Sequence, residues 1–399
     1  MTKANTPLRS LEEGRWFKLI CGASFHHLPA IRSSVLAYAL AGADCVDVAA
    51  DPAIVTVAKE ALQAAQRWSS TARKRGFTPG GMPWLMVSLN DGEDPHFRKA
   101  TFDPQYCPSD CSRPCERVCP TQAIVFDRSS DGFSGILDRR CYGCGRCLSV
   151  CPIDNIDARS YVSEPEVAVA SVVPLGADAI EIHTQVGRLV DFQRLWNAIA
   201  PWLDRLNAIA ISCPDGEGFT DYLWAIYRLI SPLPCPLIWQ TDGRPMSGDI
   251  GGGTTHATLK LAQKVLTSGP PGYVQLAGGT NDRTVPLLNA SDISQPTTNQ
   301  SGAPSFQTPC RVSTLHQSQR KVAGVAYGSY ARVRLSSILN QLENIESENA
   351  QIAVASTQSY QLPVLETHPH LLWEAANLAR ELIAPLKQTT VTNHSVLSQ

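Results

Sequence analysis

Outside one central segment, short apolar runs alternate with longer stretches in which apolar residues recur every three or four positions. The first pattern reads as strands and the second as helices. The runs are FKLICGAS (17–24), CVDVAAD (45–51), PWLMVSLN (83–90), AIEIHT (179–184), AIAISCPD (208–215), PLIWQTDG (236–243), GYVQLAGGT (272–280) and KVAGVAYGS (321–329). Helical periodicity covers 28–43, 53–68, 165–176, 189–206, 218–230, 254–266 and 330–345. Pro201 is expected to kink the 189–206 helix, and Thr254 or Thr255 to cap the next-to-last one. Eight strands alternating with helices predict a parallel α/β protein. The count matches a (β/α)8 barrel; a doubly wound open parallel sheet is the alternative.

The pattern divides the chain. Residues 15–103 form the first part of the α/β domain, 104–160 a cysteine-rich module inserted after the third strand, and 161–386 the remainder. Residues 289–320 are rich in Ser, Gln, Thr and Asn and read as a disordered loop between the last two strands. The polar residues 387–399 read as a disordered tail.

Composition narrows the setting. With 399 residues and 43% hydrophobic content there is chain enough for a large core. A net charge of −2 leaves no basic footprint, so nucleic acid is not implied. No apolar run reaches the roughly 18–20 residues of a membrane span, and MTKANTPLRSLEEGRW lacks the apolar stretch of a secretory signal. The expected location is the cytoplasm, where thiols stay reduced. Clustered cysteines there are more often metal ligands or catalytic groups than disulfides.

Of the 13 cysteines, eight lie between Cys107 and Cys151. CYGCGRCLSVCP, 141–152, spaces Cys141, Cys144, Cys147 and Cys151 as C-x2-C-x2-C-x3-C-P, the bacterial ferredoxin spacing for a [4Fe–4S] cluster whose fourth cysteine serves a second cluster. Thiolates are soft ligands suited to such clusters. Gly143 and Gly145 permit tight turns around them, and Pro152 ends the wrap. The earlier run, CPSDCSRPCERVCP, spaces Cys107, Cys111, Cys115 and Cys119 three residues apart. Crossed ligation would place Cys107, Cys111, Cys115 and Cys151 on one cluster and Cys119, Cys141, Cys144 and Cys147 on the other. The widened early gaps leave a three-iron centre, or one lacking a protein ligand, as alternatives for the first. Structural zinc shows paired ligand sets instead. Between the runs, AIVF and SGIL with DRSSDG predict a hairpin, so 104–160 resembles a two-cluster ferredoxin module.

In a barrel, strand C-termini face the active-site mouth. Here they supply Ser24, His26, Asp47, Asp51, Asn90, His183, Cys213, Asp215, Gln240 and Asp242. Such a polar ring suits an enzyme, although strand ends that meet solvent are polar in any α/β protein. Gly251 and Gly252 precede a helix, and Gly278 and Gly279 follow the seventh strand. A phosphate-bearing ligand such as flavin mononucleotide would suit such loops. No P-loop lysine motif is present.

FKLICGASFHHLPAIRSSVLAYALAGADCVDVAADPAIV, followed by CSRPCERVCPTQAIVFD and CYGCGRCLSVCP, resembles the cyanobacterial light-dependent period family over residues 8–385. The resemblance implies redox-active iron–sulfur centres held by the eight cysteines, reporting redox state, and so light, to clock-associated proteins including a sensor kinase. It implies no catalytic residue. The expected function is thus a redox sensor, exchanging electrons with a partner such as a ferredoxin or quinone. The alternative is an oxidoreductase whose clusters feed a flavin or substrate at the barrel mouth.

Overall fold

The computed structural model describes residues 6–21, 27–92, 97–119, 122–127, 132–137, 140–141, 146–161, 164–243, 253–291, 321–355 and 364–388. Strands β1 (Trp16–Ile20), β2 (Cys45–Ala49) and β3 (Trp84–Asn90) come first. The cysteine segment contributes β4 (Phe97–Thr101), β5 (Ile124–Val125), β6 (Gly135–Ile136) and β7 (Asp157–Tyr161). Then follow β8 (Ala179–His183), β9 (Ala208–Pro214), β10 (Leu237–Asp242), β11 (Tyr273–Ala277) and β12 (Val322–Tyr327). The eight strands outside the cysteine segment form a closed barrel in the order β1-β12-β11-β10-β9-β8-β3-β2. Every pair in it is parallel, and β1 pairs with β12 to close the ring. An open sheet is therefore excluded. The cysteine segment leaves the barrel after β3 and returns before β8, its direct neighbour.

Strand alternation sorts the side chains. Phe17, Leu19, Val46, Val48, Val87, Ile180, Ile182, Ile209, Ile211 and Leu276 point outward into the main core under the helices. Trp16, Cys45, Met86, Ala179, Ala208, Ala210, Ile238 and Ala323 form a separate apolar plug inside the ring. Because both faces of each strand are covered, the strands read as apolar runs with few interruptions.

The helices follow the periodicity with instructive differences. Leu28–Ala41 stops at Gly42, whose left-handed backbone (φ +104°) closes the end. Pro52–Lys74 extends past the expected 68 and is capped by Asp51, whose Oδ1 accepts from the Ala53 amide at 2.8 Å. At Pro201 the helix Leu189–Ile199 gives way to a 3-10 stretch, Ala200–Arg205. Thr254 does not cap the following helix, Thr255–Ser268, with its side chain: its hydroxyl donates to the Gly279 carbonyl at 2.6 Å. The expected helix at 330–345 is two, Ser329–Arg334 and Ser336–Ala355.

Among the described residues outside the cysteine segment, three helices were not anticipated: Pro7–Glu13, Thr284–Asn289 and Pro369–Lys387. The last lies against Leu28–Ala41. Trp373 packs on Trp68 and Phe77, in and just after helix Pro52–Lys74, and the adjoining Glu366 holds Arg32 of Leu28–Ala41 through two 2.7 Å bonds. Most of the expected loop at 289–320 and tail at 387–399 lies outside the described residues. Among those described, no helix is long and apolar enough to cross a membrane.

Gly324 of β12 is where closure leaves least room: a Cβ there would stand 2.1 Å from the Trp16 carbonyl oxygen and 2.5 Å from its Cβ. Gly324→Ala is expected to destabilise the fold by about 1–3 kcal/mol through overpacking. Gly253→Ala, with nothing within 4 Å of the added carbon, should stay within about 0.5 kcal/mol of the parent. Denaturant midpoints of both variants check this.

Candidate metal centre and barrel interior

Two antiparallel pairs frame the cysteines. β4 and β7 pair from Phe97↔Tyr161 to Thr101↔Asp157, so one ribbon carries the segment out of the barrel and back. β5 and β6 form the expected hairpin, Ile124 opposite Ile136. Short helices Pro114–Val118 and Arg146–Val150 pack together. Ala100, Ala123, Ile124 and Ile156 enclose Cys115, Cys141 and Cys147 in a small core separate from that of the barrel. A core this small needs a further cross-link, and metal binding supplies one where side chains alone do not.

The sulfurs are met by amide hydrogens. Arg113 N–H donates to Cys111 Sγ (3.4 Å), Ala123 N–H to Cys119 (3.1 Å), Ala100 N–H to Cys141 (3.4 Å) and Asn155 N–H to Cys151 (3.4 Å). The Asn155 side-chain amide is 3.6 Å from Cys107 Sγ. Left-handed residues stand at or just before three of these donors: Arg113, Gln122 and Asp154, each with φ +51°. This conformation turns successive amides inward into a concave nest for anions. The strain of holding ordinary side chains at positive φ is thus concentrated where a sulfur needs a donor.

Cys115 is buried, and its thiol is pushed up to about 11. Burial is the main cause, the Glu116 amide opposes it, and the neighbouring sulfurs of Cys151, Cys111 and Cys107 add to it. Buried thiolates of this kind call for a cationic centre. Soft sulfur donors with N–H···S bonds fit an iron–sulfur cluster. Among the described residues, no group of three or more His, Cys, Asp or Glu stands close enough to hold a single ion. Cys144 lies outside the described residues.

A second polar assembly fills the middle of the barrel. Lys18, entirely buried, is ion-paired with Glu181, lies 3.6 Å from Asp47 Oδ2, and donates to Gln240 Oε1 at 3.0 Å. Gln240 donates to Glu181 (2.6 Å), Gln275 to Gln240 (2.6 Å) and the Trp16 indole to Gln275 (2.6 Å). Ser88 donates to Asp47 at 2.7 Å, and Ser212 to Asp242. Burial raises the carboxyls of Asp47 and Asp242, while Lys18 opposes the shift at both. His183 sits 3.2 Å from Glu181 Oε1, yet its imidazole is pushed down to about 4 by burial and then by Lys18. The neutral ring thus lies beside a carboxylate whose charge is already met by Lys18.

Of the residues expected at the mouth, Asp47, His183, Gln240 and Asp242 come together in this assembly. Asp51 stands at the end of β2 beside β4. Asn90 instead bonds the Gly92 amide in a turn. Cys213 points outward into the main core, where burial pushes its thiol up to about 12, because Ser212 takes the inward position. Asp215 pairs with Lys264 at the surface (2.7 Å). Ser24 and His26 lie outside the described residues. Gly278 and Gly279 form a tight turn at φ +63° and +97°, and the Gly279 carbonyl accepts from Thr254 and Thr255. Gly251 and Gly252 lie outside the described residues. The sequence reading missed Lys18, Glu181 and Gln275. Its available signal was a single charge at the centre of an apolar strand, as in WFKLI and AIEIH.

Lys18→Met would leave Glu181 and Asp47 buried without their cation, at an expected cost of about 3–5 kcal/mol. Combining it with Glu181→Gln should recover part of that loss, as read from denaturant midpoints. His183 supplies a pH test. Its folded-state pKa lies below the unfolded value, so its contribution is complete above about 6.5 and is lost as pH falls towards about 4. Relative to His183→Asn, the parent should lose about 2–3 kcal/mol across that window.

Two family models match the chain. Residues 107–162 match the LdpA Fe-S cluster-binding domain, and 171–385 match the Light dependent period A C-terminal domain. A protein of Synechococcus elongatus named Light dependent period A is 48% identical over 385 residues, covering 96% of this chain and 95% of that one. An uncharacterized ferredoxin of Methanocaldococcus jannaschii is 33% identical over 66 residues, 16% of this chain and 42% of its own. The cysteine segment is accordingly an iron–sulfur binding domain, and the chain belongs to the light dependent period A family.

Proposed function

We propose that this chain carries two [4Fe–4S] clusters with crossed ligation and acts as a redox sensor, reporting cellular redox state, and through it light, to clock-associated proteins including a sensor kinase. Cys107, Cys111, Cys115 and Cys151 would hold one cluster, and Cys119, Cys141, Cys144 and Cys147 the other. One residue supports the crossing most directly. Asn155 reaches Cys151 with its backbone amide and Cys107 with its side chain, joining the first sulfur of the early run to the last of the later one. The electrostatic neighbours of Cys115 are the same set. The ferredoxin relative and the C-x2-C-x2-C-x3-C-P spacing support the cluster type.

When bound, such clusters store and release single electrons. The protein places its sulfurs unequally for that work. In the first set Cys107, Cys111 and Cys151 are half-buried around a buried Cys115, whereas in the second Cys141 and Cys147 are 8% and 7% exposed and Cys119 is half-buried. Tyr106 and Ile153, exposed beside the first set, mark the side at which a ferredoxin or quinone would exchange electrons. The name of the Synechococcus relative supports a role in light-dependent clock input. The proposed setting is the cytoplasm.

The charged barrel interior favours a second reading, an oxidoreductase in which the clusters feed a flavin or substrate at the mouth. Anaerobic purification with iron, sulfide and flavin assays separates the two. The sensor reading expects about eight irons and eight sulfides per chain, no flavin, and partner affinity that differs between oxidised and reduced protein. Stoichiometric flavin would favour the enzyme, and equal partner affinity in both states would end the sensor reading. Cys119→Ser should damage the centre of the later run and Cys111→Ser the other. Identical residual paramagnetic resonance spectra would contradict crossed ligation.

A further inference from the structure

Lys99 and Ala100 are consecutive on β4, and a strand turns consecutive side chains to opposite faces. Ala100 belongs to the module's core, and its amide donates to Cys141 Sγ at 3.4 Å. Lys99 meets the barrel instead. Its Nζ lies 3.0 Å from Asp51 Oδ2, with the two side chains only 4% and 2% exposed. Asp51 follows β2 at the barrel's C-terminal face and organises the first turn of helix Pro52–Lys74: Oδ1 accepts from the Ala53 amide and its carbonyl from the Val55 amide at 2.9 Å. One strand's thickness thus separates a cysteine sulfur from a barrel helix. The other arm of the ribbon is tied to the cysteines as well, since β7 starts two residues after Asn155.

A buried ion pair adds little net stability over a well-packed apolar pair. What it gives is a fixed register between the groups it joins. Along β4 that register runs from the cysteine centre to the barrel mouth.

We propose that Lys99 is a positioning residue that couples the redox state of the centre containing Cys141 to the barrel through Asp51. The inference rests on the two-cluster reading above and specifies its internal coupling. When one electron from an external one-electron donor is held at that centre, Cys141 Sγ becomes a stronger acceptor for the Ala100 amide. β4 follows, and Lys99 carries the displacement to Asp51 and the turn it caps. No bond to the protein forms or breaks; the electron leaves again to an oxidant.

The test is amide hydrogen exchange of the full iron-loaded chain, oxidised and then reduced with dithionite, with paramagnetic resonance confirming reduction. Exchange at Ala53 and Val55 should differ between the states by about fivefold or more, the usual lower end of allosteric coupling. Lys99→Met combined with Asp51→Asn removes both charges yet keeps an acceptor at the helix cap. With iron content unchanged, the difference should vanish in that variant, and Lys99→Arg should retain it. Should the double variant fail to take up iron, Asp51→Asn alone, on the barrel side of the contact, serves the same comparison. A difference that persists in the charge-free variant overturns the proposal, as does a reduced centre in the parent with no change at these amides. A parent with no reducible centre would overturn the sensor reading itself.

Discussion

The barrel closes around a charge. Lys18 has no access to water, and a lone ammonium in that position would be prohibitively costly. The ring forms because β2, β8 and β10 bring Asp47, Glu181 and Gln240 to the same level. The same requirement fixes register. A slip of one residue on any of these strands would turn its polar side chain outward into the helical layer and an apolar one in. The apolar plug of Trp16, Met86 and Ile238 below supplies much of the burial, while the polar layer restricts the arrangement to one.

The cysteine module obeys a different economy. Its core is small, its strands are short, and several residues are held at positive φ. Those features weaken an isolated fold, yet three of the positive-φ residues, Arg113, Gln122 and Asp154, set an amide against a sulfur at their own or the next position. The module is thus shaped for its cofactor first and for stability second. Belonging to the light dependent period A family fits a chain that joins this module to a barrel with its own polar interior.

The sequence disclosed the eight strands well, because strands covered on both faces are apolar with few interruptions. It disclosed the cysteine spacing for the same kind of reason: a small inorganic cluster admits few ways of wrapping a chain. It was less informative about Lys18 and Glu181, where one charge inside an apolar run does not say which strands will answer it. Cys213 and Asp215 illustrate the limit from the other side. Both end a strand, but strand alternation turned Cys213 away, and Lys264 drew Asp215 to the surface. The ribbon of β4 and β7 was missed because its partners lie on either side of the whole module, beyond the reach of local pattern.

That ribbon has a further consequence. Because Phe97 lies opposite Tyr161, and because β3 and β8 pair directly, the module is attached to the barrel by two chain ends already held side by side. The ring does not need the module to span any gap. Evolution could therefore lengthen, rebuild or lose the cysteine segment with little change in the loop-closure entropy of the barrel, which grows only slowly with length. The same topology makes the metal-binding part an insertion between two strands that the ring already pairs.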